Sequence, residues 1–248
     1  GLNMSGHSKW NNIKNKKEKT DAQKGKVFTK IGKEIQICVR DGGGDPNTNG
    51  KLRDLIAKAK ANNVPNDNIE RAIKKALGAD SIQYEEIIYE GYGPSGVAVI
   101  VETATDSRNR TASDVRHFFD KYGGNLGASG CVSYMFDDKG VIIHLKEDNE
   151  GVDEDALMEA ALEAGAEDFS SDDETYEITT EPDDLYAVRE ALEKLGYKIE
   201  SAEEDKIPQN YVTLENEDDI KNMNLLIEHL EDSDDVQEIY HNWENCDD

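Results

Sequence analysis

Residues 141–199 read VIIHLKEDNEGVDEDALMEAALEAGAEDFSSDDETYEITTEPDDLYAVREALEKLGYKI, and the spacing of their apolar side chains decides the predicted fold. Val141, Ile143 and Leu145 are apolar at every second position, which predicts a strand, because successive strand side chains point to opposite faces. Apolar stripes at helical spacing over 157–162 and 185–195 predict two helices, and the β-rich runs between and after them predict three more strands. The resulting order is βαββαβ, the ferredoxin-like split unit.

Before residue 80 the apolar spacing changes to three and four residues, which is typical of amphipathic helices. The pattern predicts one helix from Asp21 to the glycines at 42–44 and a second around Leu52–Ala59. A third is predicted with Asp67 at its N-cap, in a capping box with Glu70, and ends at Gly78. Three such helices can bury their apolar stripes against one another. The sequence therefore predicts an N-terminal three-helix bundle.

A second α+β unit is predicted on both sides of residues 141–199. A strand at 97–101, a helix and a strand at Val132–Phe136 precede that stretch, whereas a strand at Val212–Leu214, a helix and a final strand follow it. The prediction is a multi-domain α and α+β protein with two ferredoxin-like domains, one inserted into the other. The predicted domains are a basic helical domain with an N-terminal arm at 1–80, an α+β domain at 81–137 plus 206–248, and an inserted α+β domain at 138–205.

Composition argues against a membrane-spanning, a disulfide-rich and a zinc-binding protein. The chain has 248 residues, with 28 basic against 54 acidic side chains and a formal charge of −26. Its longest apolar run, Val97–Val101, is far too short to cross a bilayer. Three isolated cysteines support neither a disulfide framework nor a zinc site. We therefore expect a cytoplasmic protein with no membrane partner and no metal.

The charge is distributed very unevenly. Residues 1–80 carry seventeen basic against nine acidic side chains, a net charge of +8, whereas residues 81–248 carry eleven against forty-five, a net charge of −34. A basic module on a strongly acidic body suits a polyanionic partner that the body repels. We expect the partner to be nucleic acid.

Lysines are densest at the start of the chain, at positions 9, 14, 16, 17, 19, 24, 26, 30 and 33. Flexible ammonium groups suit a phosphate backbone, because each neutralised phosphate releases condensed counterions. The alternative is a solvated lysine face without a partner. Trp10 lies among these lysines and has two interpretations: its indole stacks on an unpaired base, or it anchors the arm on the helical bundle.

A second basic cluster lies in Thr105–Thr111, which contains Arg108 and Arg110 and joins a strand to a helix. Arginines beside unpaired helix N–H groups fit a phosphate or carboxylate ligand, but an internal ion-pair network fits equally well. Neither glycine-rich segment, 91–96 or 123–130, contains a nucleotide-binding motif, so both are interpreted as turns or close backbone approaches. No catalytic or cofactor motif is found, and we predict that the protein is not an enzyme and has no cofactor.

Several motifs in residues 5–136 closely resemble those of the YebC family. They are GHSKW at 6–10, GKVFTK at 25–30, GGGDP at 42–46, DNIERAIKK at 67–75, YEGYGP at 89–94, DSRNRT at 106–111, GGNLG at 123–127 and YMF at 134–136. Beyond residue 137 the resemblance is looser and depends on domain order and length.

The resemblance implies a three-domain cytoplasmic protein. Bacterial members are described as DNA-binding transcriptional regulators, and related mitochondrial and bacterial members as translation factors that act on ribosomes stalled at proline-rich stretches. Both functions need a basic surface that binds polyphosphate, so the lysine pattern is compatible with either. A phosphate-ligand sensor or enzyme is the third alternative. The resemblance and the lysine pattern place nucleic-acid contacts at Lys9, Trp10, Lys14, Lys16, Lys17, Lys24, Lys26 and Lys30, with Arg108 and Arg110 in second rank.

Overall fold

The structure is a computed structural model that describes Trp10 and residues 20–244. In chain order, these residues form the following α-helices and β-strands: α1 (Asp21–Gly42), α2 (Gly50–Ala61), α3 (Asn66–Leu77), β1 (Glu85–Tyr92), β2 (Ala98–Thr105), α4 (Arg108–Lys121), β3 (Asn125–Leu126), β4 (Phe136–Leu145), α5 (Glu154–Ala164), β5 (Asp168–Ser171), β6 (Thr175–Thr180), α6 (Leu185–Lys194), β7 (Ser201–Pro208), α7 (Glu217–Asp232) and β8 (Val236–His241).

The chain divides into two compact units. The smaller unit combines Asp138–Ile207 with the N-terminal segment Gly1–Glu18, and the larger combines Lys19–Asp137 with Pro208–Asp248. The mixed α and α+β class is confirmed by seven helices and two four-stranded sheets among the described residues. The finer division into three domains at residues 80, 137 and 205 stays a prediction.

The N-terminal helices of the larger unit bury one apolar stripe each. Ile35, Leu52 and Ala59 are almost completely buried and belong to one cluster to which all three helices contribute. Helix α1 begins at a reciprocal cap, in which Thr20 and Gln23 each accept a backbone N–H from the other. Helix α3 begins two residues earlier than predicted, because Pro65 and not Asp67 occupies the N-cap position, and no side-chain cap forms there. A proline fits a helix start because it lacks the N–H that this position leaves unpaired.

The sheet of the larger unit has the strand order β3-β1-β2-β8. Strands β1 and β2 form an antiparallel hairpin, and β8 pairs antiparallel with β2. Helices α4 and α7 cover one face, where Phe119, Met223 and Leu226 are fully buried. Because the hairpin precedes the first helix, the element order of this sheet is ββαβαβ and not the predicted βαββαβ.

Two predicted strands in the larger unit are absent from the described residues. Ser133–Met135 forms a 3₁₀ turn, because the carboxylate of Glu90 accepts the backbone N–H groups of Val132 and Ser133, which a strand would need for its ladder. Val212 makes only an isolated bridge to Trp243. The chain then turns into the cap of α7 at Asn216, whose side chain accepts two backbone N–H groups of the first helical turn.

The smaller unit has the predicted βαββαβ order and an antiparallel strand order β5-β6-β4-β7. Its last strand, β7, lies at Ser201–Pro208, after the predicted position at Tyr197 and Ile199. Helices α5 and α6 cover one face of this sheet, where Ile142, Leu157 and Leu192 are fully buried. Along β4 the side chains alternate, so Val141 and Ile143 belong to a second cluster separate from that helix-covered core. Val141, Ile143 and Leu145 thus lie on one face of the strand, and Ile142 lies on the other, in the helix-covered core.

His144 gives the smaller unit a pH dependence. Its ring is completely buried, Nδ1 lies 2.7 Å from the carbonyl oxygen of Lys198, and Nε2 has no hydrogen-bond partner among the described residues. Burial lowers the pKa of His144, so below its ordinary pKa of about 6.5 the unfolded chain binds more protons than the folded chain. We expect the free energy of unfolding to fall with decreasing pH from about 6.5, by at most about 1.4 kcal/mol per pH unit for this one group.

Denaturant unfolding at a series of pH values measures this effect. The variant His144→Gln is expected to flatten the slope below neutral pH, whereas His117→Gln, at an exposed position of α4, should leave the slope unchanged. An identical slope in both variants would contradict the assignment to His144.

Candidate nucleic-acid interface

The lysines predicted to contact nucleic acid fall into two groups. Lys9, Lys14, Lys16 and Lys17 lie outside the described residues, whereas Lys24, Lys26 and Lys30 lie on α1. The side chain of Lys24 is exposed, and those of Lys26 and Lys30 are half-buried. Helix α1 therefore supplies lysines in two different environments.

Lys26, Lys30 and Lys33 contact the end of α7 and the loop that follows it. The Nζ of Lys26 lies 3.0 Å from Oδ1 of Asp234, and the Nζ of Lys30 donates to the carbonyl oxygen of Glu231. Positions 26, 30 and 33 lie on one helical face because they are spaced by four and three residues. This face of α1 is used within the larger unit, so Lys26 and Lys30 would have to leave these partners before binding phosphate.

Lys33 is a buried cation. Its Nζ donates to the carbonyl oxygens of Ala104, at 2.9 Å, and Asp234, at 2.7 Å, and lies 5.1 Å from the centre of the Tyr84 ring. Burial lowers the pKa of Lys33, although the nearby carboxylates of Asp235 and Asp234 act in the opposite direction. A buried lysine held by two carbonyls is a structural cation, consistent with its absence from the predicted contacts.

The arginines of the second basic cluster pair with carboxylates. Arg108 donates from Nε to Oε1 of Glu85 at 3.0 Å. Arg110 binds Asp235 through two nitrogens, at 3.0 and 2.7 Å, and donates to Oδ1 of Asp106 at 2.8 Å. Thr111 donates from Oγ1 to Asp235 at 2.9 Å. These contacts match the ion-pair alternative, in which the arginines act within the fold.

The pKa values of this cluster reflect the same contacts. The hydrogen bonds that Arg110 donates to Asp235 and Asp106 raise the pKa of Arg110, and the hydrogen bond that Arg108 donates to Glu85 raises that of Arg108. Burial alone would raise the pKa of Asp235, but hydrogen bonds from Arg110 and Thr111 hold it below its ordinary value. All members therefore stay charged at neutral pH, and an external anion would have to displace a carboxylate from each arginine.

Trp10 is buried and lies on the sheet of the smaller unit. Only 6% of its surface is exposed, and its ring packs with Val141, Ile143 and Leu145 of β4. The indole Nε1 donates to the carboxylate of Glu174 at 2.9 Å. This position matches the anchoring alternative, but the anchor is the inserted sheet and not the helical bundle.

Further exposed cations on α2 and α3 were not among the predicted contact residues. Arg71, Lys74 and Lys75 follow one another at helical spacing on the surface of α3, away from the buried Ile69 and Ala72. Lys51 and Lys60 are exposed on α2. The sequence signal for this row was the spacing of three and four residues between its basic positions within residues 67–75. Such spacing places the basic side chains on one helical face, opposite the stripe that faces the core.

The glycine-rich segments are close backbone approaches, as the sequence interpretation proposed. A Cβ added at Gly91 would lie 2.6 Å from the carbonyl oxygen of Asn125, and one at Gly124 would collide with the carbonyl oxygen of Tyr92. Any side chain at these positions would force β1 and β3 apart. Close packing explains these glycines without a nucleotide-binding loop.

Glu90 holds the loop after β3 by three backbone hydrogen bonds. Its buried carboxylate accepts N–H groups of Gly130, at 2.6 Å, Val132, at 3.2 Å, and Ser133, at 2.6 Å. Burial alone would raise the pKa of Glu90, but these donors lower it below its ordinary value. The charged carboxylate therefore stabilises the fold above its unfolded pKa of about 4.3, and this contribution is lost as the pH falls below it.

We expect Glu90→Gln to lower the free energy of unfolding by about 1.5–3 kcal/mol, because the amide NH₂ cannot accept from these donors. Glu86→Gln, on the same strand but exposed, provides a matched control that should cost little. Chemical denaturation at neutral pH measures both; equal small losses would show that the carboxylate does not hold the loop.

The described residues hold no cluster of three or more His, Cys, Asp or Glu side chains suited to a metal ion. None of their helices is both long and apolar enough to cross a membrane.

Comparison with known proteins assigns the chain over nearly its whole length. The model of the TACO1/YebC N-terminal domain matches residues 8–79, and the model of the TACO1/YebC second and third domain matches residues 84–243. A "probable transcriptional regulatory protein" of Acetivibrio thermocellus is 62% identical over 241 residues, which cover 97% of this chain and 99% of the relative. One of the same name from Lachnoclostridium phytofermentans is 56% identical, with 97% and 100% covered.

A solved structure shares the fold. The crystal structure of a conserved hypothetical protein from Aquifex aeolicus superimposes with a TM-score of 0.79 at 49% sequence identity, covering 96% of this chain and 97% of that one. Because the two domain models match residues 8–79 and 84–243, the protein belongs to the TACO1/YebC family.

Proposed function

We propose that the protein is a cytoplasmic nucleic-acid-binding regulator, and specifically a DNA-binding transcriptional regulator. The observation that carries the proposal is the segregation of charge, +8 over residues 1–80 against −34 over residues 81–248. The relatives' name, "probable transcriptional regulatory protein", supports the regulatory role. A cationic region binds polyphosphate by counterion release, and the acidic remainder is repelled by the same polymer.

Within this proposal the phosphate contacts belong to Lys9, Lys14, Lys16, Lys17 and Lys24. The exposed cations Arg71, Lys74 and Lys75 of α3 extend the positive surface. Lys26, Lys30, Arg108 and Arg110 have partners within the larger unit, which makes them weaker candidates. Such a surface binds the phosphate backbone, and phosphate contacts carry no sequence information of their own. A promoter preference therefore has to come from base contacts or duplex shape in addition to these cations.

A second candidate function is a ribosome-associated translation factor that acts on stalled, proline-rich synthesis. The observation that favours it is the net charge of −34 after residue 80. An acidic region of this kind can bind basic ribosomal proteins, while the N-terminal lysines bind ribosomal RNA. A phosphate-ligand sensor or enzyme has less support, because Arg108 and Arg110 are paired with carboxylates.

Two binding measurements on the full chain separate these functions. The first is its affinity for a promoter duplex relative to a scrambled duplex of equal length, and the second is its co-sedimentation with ribosomes at the same salt concentration. The DNA-regulator proposal expects duplex binding with a measurable promoter preference and no co-sedimentation. Co-sedimentation without any duplex preference would overturn it in favour of the translation factor.

A further inference from the structure

The face of α1 that carries Lys26, Lys30 and Lys33 meets a negatively charged part of the same unit. We call residues Glu231–Asp235, at and beyond the end of α7, the acidic segment, because four of its five side chains are carboxylates. Its first carbonyl groups add to this charge, since the last carbonyls of a helix carry a partial negative charge. The acidic segment therefore offers α1 negatively charged oxygen acceptors, which is also what a phosphate backbone offers.

The lysines of this face differ in how firmly they are held. Lys33 is buried, and its Nζ donates to two carbonyl oxygens. The ion pair of Lys26 with Asp234 is a surface contact, because 41% of the lysine side chain and 60% of the aspartate side chain are exposed. Exposed pairs of this kind contribute little to stability. Lys26 can therefore exchange Asp234 for another anion at little cost to the fold.

Other contacts hold α1 in position when the Lys26 pair opens. The buried Lys33 is one of them, and the second is a hydrogen bond of 2.9 Å from Nε2 of Gln237 to the backbone carbonyl oxygen of Lys30. Neither contact uses a carboxylate of the acidic segment. An anion that replaces Asp234 at Lys26 therefore meets a helix that is already in place.

We propose that Asp234 is an internal competitor of phosphate at Lys26, so that the acidic segment masks one cation of the nucleic-acid interface. The inference rests on the proposed function, in which the basic N-terminal region binds a phosphate backbone. The Nζ of Lys26 lies 3.0 Å from Oδ1 of Asp234, well within the screening length of about 10 Å at 0.1 M salt. Lys26 is then available to a polymer only in the fraction of molecules in which the pair is open.

The test is a double-mutant cycle on the full chain, with a short labelled DNA duplex as the probe. Asp234→Asn removes the competing charge and keeps the size of the side chain. Lys26 then neutralises one more phosphate, which steepens the dependence of log K on log salt by about 0.9 and tightens binding at about 0.1 M salt roughly five- to tenfold. Lys26→Gln alone should change binding little, because the lysine is masked. Adding Lys26→Gln to Asp234→Asn should return the affinity close to that of wild type.

Asp232→Asn is the matched control. Asp232 lies in the same segment, is exposed and forms no ion pair among the described residues. Its replacement changes the net charge equally without releasing a lysine, so the salt slope should stay at the wild-type value. Thermal unfolding of each variant shows whether it is folded under the conditions of the binding measurement.

The outcomes distinguish this inference from the proposed function. A steeper slope and tighter binding by Asp234→Asn, both lost when Lys26→Gln is added, support masking by Asp234. An unchanged slope in Asp234→Asn, or equal tightening by Asp234→Asn and Asp232→Asn, overturns the masking and leaves the proposed function intact. If the wild-type chain does not bind duplex at all, the proposed function fails, and the inference fails with it.

Discussion

Replacing Lys14, Lys16, Lys17 and Lys24 by glutamine is expected to weaken duplex binding by roughly three orders of magnitude at about 0.1 M salt. Each lysine that neutralises a phosphate contributes about 0.9 to the salt dependence of log K, so four lysines account for about 3.6 logarithmic units between 0.1 and 1 M salt. Lys26 is kept, because its ion pair with Asp234 belongs to the fold.

A control variant with the same change in net charge shows whether the loss of affinity depends on which lysines are replaced or only on the total charge. Lys121, Lys194, Lys198 and Lys221 are exposed and lie outside the basic region, and their replacement by glutamine also removes four positive charges. Fluorescence anisotropy of a labelled duplex measures both variants. If the control loses as much affinity as the arm variant, overall charge and not the N-terminal region governs binding.

Asp235→Asn is expected to have the largest effect on stability. The carboxylate accepts two hydrogen bonds from Arg110 and one from Thr111, and only 9% of its side chain is exposed. Asparagine removes the charge that holds Arg110 and lies near the buried Lys33. We expect a loss of about 2–4 kcal/mol, below the full cost of breaking a wholly buried pair because Arg110 is half-exposed.

Thermal unfolding checks this expectation, with a predicted fall in Tm of roughly 5–15 °C for a chain of this size. The neighbouring Asp234→Asn is a matched control, because Asp234 is 60% exposed and forms a surface ion pair with Lys26. Its removal should cost about 1 kcal/mol or less. Similar losses in both variants would mean that the Arg110–Asp235 contact contributes no more than a surface pair.

Much of the fold could be predicted from local pattern. The stripes of α1 and α2 and the alternation in β4 each follow from the burial of one face of an element. The strands predicted at Val132–Phe136 and Val212–Leu214 were wrong, because short apolar runs do not show which backbone groups have other partners. At Val132 the deciding partner is Glu90, more than forty residues earlier.

The candidate site was less predictable for a related reason. The lysine density and the uneven charge distribution follow from composition along the chain, so the sequence alone shows them. The partner of Trp10 is Glu174, 164 positions away, and that of Arg110 is Asp235, 125 positions away. No local spacing shows such pairs, so whether a basic side chain faces solvent or a carboxylate could only be known from the folded chain.

The salt dependence of duplex binding measures whether the N-terminal lysines supply the binding energy for nucleic acid. With about five phosphates neutralised, log K is predicted to fall with log salt at a slope of about −4 to −5 for the full chain, and of about −1 for the variant lacking Lys14, Lys16, Lys17 and Lys24. Equal slopes for the two proteins would show that these lysines do not supply the binding energy.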